Sequence, residues 1–229
     1  MWLSSVYVFV CAFRSFLPRA DVQRICLFDT WFSNVLIGRS LATLAELCFV
    51  AQWAIVLNQI SKMTGSSKVE RISKVIVPLI FIAECFSWYA VIRTHYLGNT
   101  FEETIWAITY SLIALSMIIL LPKTKSVLRY AMIISIVGTL MYIAFMVTVD
   151  VPMYFSRWQT GNESGQRLFG LFEGLKDLNS RWVVTHEISQ WKTEIPWMSL
   201  YFSVAVWTSL ALCYVSFSKD QLAKYLKLK

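Results

Sequence analysis

The chain has 229 residues, of which 57% are hydrophobic and only 15% are charged, and its formal net charge is +7. Soluble domains contain about 45–50% apolar and about 25% charged residues, so a water-soluble globule could not cover this much apolar surface. The basic residues lie in short segments between apolar runs rather than along one solvated face. This arrangement indicates a membrane and argues against nucleic acid as a partner.

Five apolar stretches are long enough to cross a hydrocarbon core of roughly 30 Å, which takes about 20 helical residues. They cover residues 40–60, 75–92, 104–121, 127–149 and 197–217. The sequence therefore predicts an all-α, polytopic membrane helix bundle with lipid around it. The composition changes nowhere along the chain, so we expect a single transmembrane domain over residues 1–229.

Residues 2–17 are apolar up to Phe13 and are then interrupted by Arg14. Three interpretations compete: a short spanning helix whose arginine extends to the interface, a cleaved signal peptide, and a segment lying in the membrane surface. No basic region precedes the apolar run and no A-x-A site follows it, which disfavours cleavage. We expect a sixth span here, so the predicted bundle has five to six transmembrane helices.

The distribution of Lys and Arg predicts the orientation. Segments 61–74, 122–129 and the tail from residue 219 are basic, whereas 93–103 and the long loop 150–196 contain both signs of charge. The positive-inside rule places the basic segments, and both termini if residues 2–17 span, on the cytoplasmic side or its matrix or stromal equivalent. Residues 14–39, with four Arg and two Asp, disagree, because this topology places them outside.

Two segments on the predicted outer side have apolar residues at helical spacing. They are residues 21–37 and residues 166–183, and both are too short or too polar to cross a membrane. Such amphipathic helices beside spanning segments lie in the headgroup region or pack on the ends of the bundle. The sequence therefore predicts short interfacial helices in both places.

Glu46 and Glu84 are the acidic residues well inside predicted spans. An acidic residue at the centre of a spanning helix costs about 2.5–3.5 kcal/mol on translocon scales, which makes an intramembrane acid a candidate for function. Each residue lies in the outer half of its span, and the two helices are antiparallel neighbours. We therefore expect the two carboxylates at similar depth, facing the interior of the bundle.

This pair has a functional and a structural interpretation. Two carboxylates in one apolar site cannot both ionise cheaply, so the functional interpretation is a proton, ion or substrate site. Arg39, Arg93 and His95 on the predicted outer face would then contact an ionic or lipidic ligand. The structural interpretation, which the sequence favours, is a neutral glutamate hydrogen-bonded to a neighbouring helix.

Other chemistry lacks its usual sequence signals. The chain has two histidines and no HExxH or HxxxH spacing, so no metal site is expected. Its five cysteines have no CxxC spacing, and four of them lie inside apolar runs. No phosphate-binding or dinucleotide-binding glycine motif occurs, so no cofactor is expected and catalysis is disfavoured.

Two functions remain. The first is a non-catalytic membrane subunit or accessory protein of a larger complex, with other membrane subunits as partners. The alternative is a small membrane transporter or membrane-embedded enzyme that uses Glu46 and Glu84. A water-accessible cavity holding both carboxylates would favour the alternative, whereas a dry hydrogen-bonded pair beside an apolar surface would favour the subunit.

Overall fold

The computed structural model describes residues 1–21, 23–180, 182–192, 194–215 and 222–227. It is about 81% helical with almost no sheet. The α-helices in chain order are α1 (Trp2–Phe16), α2 (Val35–Met63), α3 (Ser67–Arg93), α4 (Tyr96–Leu120), α5 (Ser126–Phe145), α6 (Val151–Glu163), α7 (Leu171–Ser180), α8 (Ile188–Trp191), α9 (Ile195–Ser199) and α10 (Ala205–Val215). Turns of 3-10 helix cover Trp31–Ser33 and Leu121–Lys123. Two π-helical turns, Met146–Asp150 and Leu200–Val204, join α5 to α6 and α9 to α10.

Five helical stretches are long and apolar enough to cross a membrane, and each includes one of the five predicted spans up to the limit of the described residues. They are Val35–Met63, Ser67–Arg93, Tyr96–Lys123, Ser126–Glu163 and Ile195–Val215. The helices extend beyond the predicted spans because their polar end turns lower the local hydropathy without interrupting the backbone hydrogen bonds. One consequence is a correction: residues 96–103 are the start of α4, not part of a loop.

The bundle is held by close helix packing. Helix α3 lies between α2 and α4, and α1 packs against α2 and α10. At the seam of α3 and α4, a Cβ added to Gly98 would come within 2.9 Å of the Phe86 carbonyl oxygen. Near the middle of the bundle, Ser209 on α10 is hydrogen-bonded to Ser4 at 2.9 Å and to Gln52 at 3.0 Å. Small residues thus bring the backbones together, and buried polar groups find partners across helices.

One end of the bundle, which we call the capped end, is covered by residues 94–95 and by the described parts of 17–34 and 164–191. Here strands β1 (Arg19–Ala20), β2 (Ile25–Cys26) and β3 (Val183–Val184) form a small sheet in the order β1-β2-β3. The prediction of an amphipathic helix over 21–37 is therefore wrong. Residues 25–26 pair through their backbones with residues 183–184, which are distant in sequence. This pairing replaces local helical hydrogen bonds.

The second predicted surface helix is present but shorter. Residues 171–180 form α7, and residues 166–170 are not helical. Leu178 is completely buried against α2 and α3, whereas Phe172 is 86% exposed. A Cβ at Gly174 would meet the Ile92 carbonyl oxygen, so α7 lies directly on the end of α3. Part of the apolar stripe therefore packs on the bundle and part remains uncovered.

The opposite end gathers three basic segments that are distant in sequence. Lys123 donates from its ammonium to the Thr64 carbonyl at 2.9 Å, which joins the α2–α3 turn to the α4–α5 connection. The described part of the tail pairs with the same connection, because the Lys227 amide donates to the Lys123 carbonyl at 2.8 Å. Segments 61–74 and 122–129 and the described part of the tail, residues 222–227, thus share one end, away from β3 and α7.

Candidate functional site

Helix α2 presents three polar side chains in a row toward α3 and α4. Arg39, Thr43 and Glu46 are spaced four and three residues apart, which places them on one face of a helix. Glu84 lies on the facing surface of α3, and Glu102 lies near the start of α4. Since α3 packs against both neighbours, the three helices bring these groups to one place inside the bundle.

The Arg39 guanidinium lies at the centre of this group. Its Nη2 atom is 2.7 Å from Oε2 of Glu84, 3.3 Å from Oε1 of Glu102 and 3.6 Å from Oε2 of Glu46. The side chain of Arg39 is 10% exposed, and that of Glu84 is 3% exposed. We call Arg39, Glu46, Glu84 and Glu102 the carboxylate cluster. It is a buried ionic network, not a simple hydrogen-bonded pair of acids.

Neighbouring side chains orient the carboxylates. The Thr43 hydroxyl donates to Oε2 of Glu84 at 2.5 Å, and the Trp88 indole N–H donates to the Thr43 oxygen at 3.1 Å. Asn99, one turn before Glu102 on α4, donates from Nδ2 to its Oε2 at 3.2 Å. A hydroxyl, an indole and an amide therefore hold the acids in fixed positions against the guanidinium.

The charges of the cluster do not balance. One carboxylate oxygen from each of Glu46, Glu84 and Glu102 lies within 4.8 Å of the others. Among the described residues, Arg39 is the one cationic side chain within 4.0 Å of any of them. Three ionised carboxylates would leave two negative charges uncompensated in an apolar interior, which is prohibitively costly. The cluster must therefore hold protons or a cation.

Several oxygen atoms beside the cluster are available for such a ligand. Oε1 of Glu84 and Oδ1 of Asn99 are buried and have no hydrogen-bond partner within the described ranges. The Ser87 hydroxyl, one turn from Glu84, is fully buried and lies beside the Glu102 carboxylate. Carboxylate, amide and hydroxyl oxygens suit hard cations such as Na⁺, Mg²⁺ and Ca²⁺. The guanidinium already contacts all three carboxylates, however, so protons are the ligands that leave Arg39 in place.

The structure divides the five candidate residues into two groups. Glu46, Glu84 and Arg39 come together in the cluster, where Arg39 binds carboxylates instead of facing outward to a ligand. Arg93 and His95 lie outside it, at the capped end. There, burial and the neighbouring Arg93 lower the pKa of His95, whose ring also packs edge-on against Tyr89.

Sequence reasoning missed Glu102 as a member of the cluster. The adjacent acids Glu102 and Glu103 reduce the local hydropathy, so the third span was predicted to begin at residue 104. The helical spacing of Asn99, Glu102 and Trp106 was the available signal, because it extends the buried face of α4 by two turns. Asp150, placed at the beginning of the long loop, is also 99% buried.

A shallow cleft lies outside the cluster, at the capped end. It has a volume of about 310 Å³ and lies between the first turn of α4 and helix α6. The residues that line it are Tyr96, Ser156, Arg157, Thr160, Gly161, Ser164 and Gln166. None of the cluster carboxylates lines this cleft, so the cleft alone gives them no opening to solvent.

The fold and the site together define the chain as a helical bundle with five candidate membrane spans and a buried carboxylate cluster. These features suggest a membrane-embedded protein. Comparison with protein-family models, curated proteins and solved structures gives no match. Its function must therefore be inferred from its own chemistry.

Proposed function

We propose that this protein is a small membrane transporter that takes up and releases protons at the carboxylate cluster. The observation that carries the proposal is the sharing of one guanidinium by three buried carboxylates. In an apolar interior, such a group must change its proton content or bind a cation whenever one of its ion pairs rearranges. Ionisable groups within spanning helices characteristically serve proton and ion pathways.

A purely structural role requires less. A single Arg39–Glu84 pair, supported by Thr43, would already join α2 to α3. Adding Glu46 and Glu102 to the same guanidinium increases the desolvation cost by several kcal/mol per ion and supplies no further cation. The burial of the cluster, and a described cleft that none of its carboxylates lines, support the structural interpretation. The surplus of acids over cations is the observation that favours proton binding instead.

Proton counting tests the proposal. The purified chain in lipid nanodiscs is subjected to pH jumps, a pH-indicator dye counts the protons bound, and infrared difference spectra record the protonated carboxyl C=O stretch. Glu84→Gln, Glu102→Gln and Glu46→Gln should each reduce the proton count and the carboxyl band, because Gln keeps the shape of Glu and does not titrate. Glu163→Gln, at the exposed end of α6, is the control for the loss of one carboxyl group outside the cluster. A cluster variant supports the proposal only where the pH range of its lost protons differs from that of this control.

The opposite result is equally well defined. If the three substitutions change neither the proton count nor the carboxyl band, the cluster has a fixed protonation state and acts as a structural lock. In that case the Gln variants should fold normally, whereas Glu84→Leu should disrupt assembly by leaving Arg39 without its nearest acid.

Reconstitution into sealed vesicles with an internal pH dye measures whether proton binding leads to transport.

A second candidate function, a non-catalytic subunit of a membrane complex, is supported by a separate observation. Of the most apolar 18 residues in the Ser126–Glu163 stretch, 17% are buried inside the bundle, compared with 44% in Val35–Met63. Ile134 and Met141 on α5 are 72% and 69% exposed. Lipid or a partner helix would cover this surface.

The substitution Ile134→Trp distinguishes a surface covered by lipid from one covered by a partner helix. A lipid-facing position accepts the larger side chain with little effect, whereas a helix–helix interface is overpacked by it. For a subunit, the mass of the complex in mild detergent should fall to that of the single chain while the helical content remains native. An unchanged mass, equal to that of the single chain before and after substitution, removes this candidate.

For orientation, we propose that the end bearing segments 61–74 and 122–129 and the tail faces the cytoplasm or its organellar equivalent. Its support is the positive-inside rule, and α7 would then lie in the opposite headgroup region. Cysteine accessibility in sealed vesicles tests this with Lys68→Cys and Glu173→Cys. A cysteine-free background is needed, because the native Cys85 is exposed. Labelling of both positions from the same side would refute the orientation.

A further inference from the structure

Asp150 lies in a distorted part of its helix. The chain between α5 and α6 forms a π-helical turn over Met146–Asp150, in which the Val151 amide donates to the Met146 carbonyl. Pro152 follows Val151. It cannot donate a backbone N–H to the Thr148 carbonyl, and its ring crowds that carbonyl. Widening the turn relieves this conflict, and π-helical turns within helices frequently occur at functional sites.

The widened turn places a carboxyl group where its charge is poorly compensated. Asp150 is 1% exposed, and its Oδ1 accepts one hydrogen bond, from the Trp197 indole N–H at 3.0 Å. Its Oδ2 is buried and has no hydrogen-bond partner in the part of the chain that the structure describes. No cation of that part lies within 4.0 Å of it. Burying an ionised carboxylate with a single hydrogen bond costs free energy, so binding a proton stabilises this group.

Asp150 lies at the same level of the bundle as the carboxylate cluster. The rings of Tyr96 and Tyr154 are 6.4 Å apart, and α4 and α6 run in opposite directions. Asp150, one turn before Tyr154, is therefore level with the second turn of α4, which carries Glu102 and Glu103. Glu103 is half-buried, has no described ion pair, and interacts electrostatically with both Glu102 and Asp150.

We infer that Asp150 is a second proton-binding site, which exchanges protons with the carboxylate cluster through Glu103 and with water at the capped end. This inference rests on the proposed function. The charged and titratable groups that interact electrostatically with Asp150 are Tyr142 from α5, Glu103 from α4, Tyr154 and Arg157 from α6, and Glu194 before α9. Arg157 stacks over the rings of Tyr96 and Tyr154 and lines the shallow cleft, so the cleft is the aqueous entrance.

The proton moves without any other change of bonds. A hydronium ion that enters at the cleft gives its proton to Asp150 and becomes water. Asp150 then protonates Glu103, and Glu103 passes the proton to Glu102 in the cluster. Each step breaks one O–H bond and forms another. The carboxyl group that gives the proton becomes negatively charged, and the one that receives it becomes neutral. Trp197 keeps Asp150 oriented by donating to the oxygen that does not carry the proton.

The kinetics of proton binding test this inference on the full chain in nanodiscs. Asp150→Asn should leave the number of protons bound by the cluster unchanged and slow their uptake after a pH jump by about tenfold or more, because general acid–base groups contribute at least that much to proton transfer. Glu103→Gln should slow uptake similarly. Asp29→Asn is the matched control, since exposed Asp29 also accepts a hydrogen bond from an indole, that of Trp182.

The outcomes separate the two proposals. If the wild-type cluster binds no protons, the proposed function fails, and this inference fails with it. If the cluster binds protons and both Asp150→Asn and Glu103→Gln take them up at the wild-type rate, the inference alone is wrong. Should Asp150→Asn fail to fold, Glu103→Gln decides the matter, because Glu103 makes no described hydrogen bond whose loss would unfold the chain.

Discussion

The capped end and the carboxylate cluster both contain buried arginines, but they balance them differently. At the capped end, Arg19 pairs with Asp21 and also donates to the Asn34 and Val35 carbonyls. Arg24 pairs with Asp177 and donates to the Val91 carbonyl at 2.8 Å.

Each of these arginines has one acid, and each also donates to backbone carbonyls at helix ends. This is what the attachment of a loop to a bundle requires. In the cluster the charges are unbalanced, with three acids to one arginine. A buried ion pair with balanced charges thus fits a structural role, whereas a buried cluster with surplus charge requires a ligand.

The largest effect should follow removal of the shared cation. Arg39→Met leaves three buried carboxylates without a counter-ion, and breaking a buried ion pair costs about 3–5 kcal/mol. We expect a large decrease in the midpoint of thermal unfolding in detergent. Arg129→Met, at an exposed position of α5, is the control and should have no effect. An unfolding midpoint of Arg39→Met equal to that of the control would mean that the cluster is neutral without Arg39.

The next experiment compares rescue in the two regions. Arg24→Met should cost about 3 kcal/mol, and adding Asp177→Leu should restore most of it, because both charges of a balanced pair are then removed. Adding Glu84→Leu to Arg39→Met should restore little, since Glu46 and Glu102 remain unpaired. Thermal unfolding of the four variants measures the difference. Equal rescue in both regions would contradict the interpretation of the cluster as unbalanced.

A smaller effect is expected from the helix seam beside the cluster. Gly98→Ala brings a methyl group to 2.8 Å from the Ala90 Cβ and 2.9 Å from the Phe86 carbonyl, which must separate α3 from α4. Overpacking of this kind costs about 1–3 kcal/mol. Gly138→Ala on α5, with no atom within 4 Å of the added Cβ, should instead stabilise by about 0.5–1 kcal/mol. Destabilisation by both substitutions to the same extent would exclude the seam as the cause.

The smallest effect concerns His95 at the capped end. Burial and the charge of Arg93 lower its pKa below the usual value. Protonation therefore costs stability in the folded state, and this cost appears as the pH falls below the ordinary pKa of histidine. Arg93→Gln should raise the midpoint of the His95 imidazole in an NMR titration. A midpoint that does not rise would show that burial alone sets the pKa.

Local patterns were sufficient for the long apolar helices. Runs of apolar residues predicted the five candidate spans, because the length of an apolar run and its helical hydrogen bonding are properties of neighbouring residues. Boundaries were less well predicted wherever acids such as Glu102 and Glu103 interrupted the hydropathy of a continuous helix. The segment 21–37 was predicted as a helix, but pairing with residues 183–184 decides its structure, and no local pattern contains that pairing.

For the site, the sequence by itself identified Glu46 and Glu84, because an acid inside an apolar run is visible from its immediate neighbours. The tertiary structure alone decided that Arg39 turns inward to them and that Glu102 joins them from a third helix. It also decided that Asp150 lies buried beside Trp197. The reason is physical: the charge balance of a buried group depends on side chains from separate helices, and their convergence is set by helix packing, not by spacing along the chain.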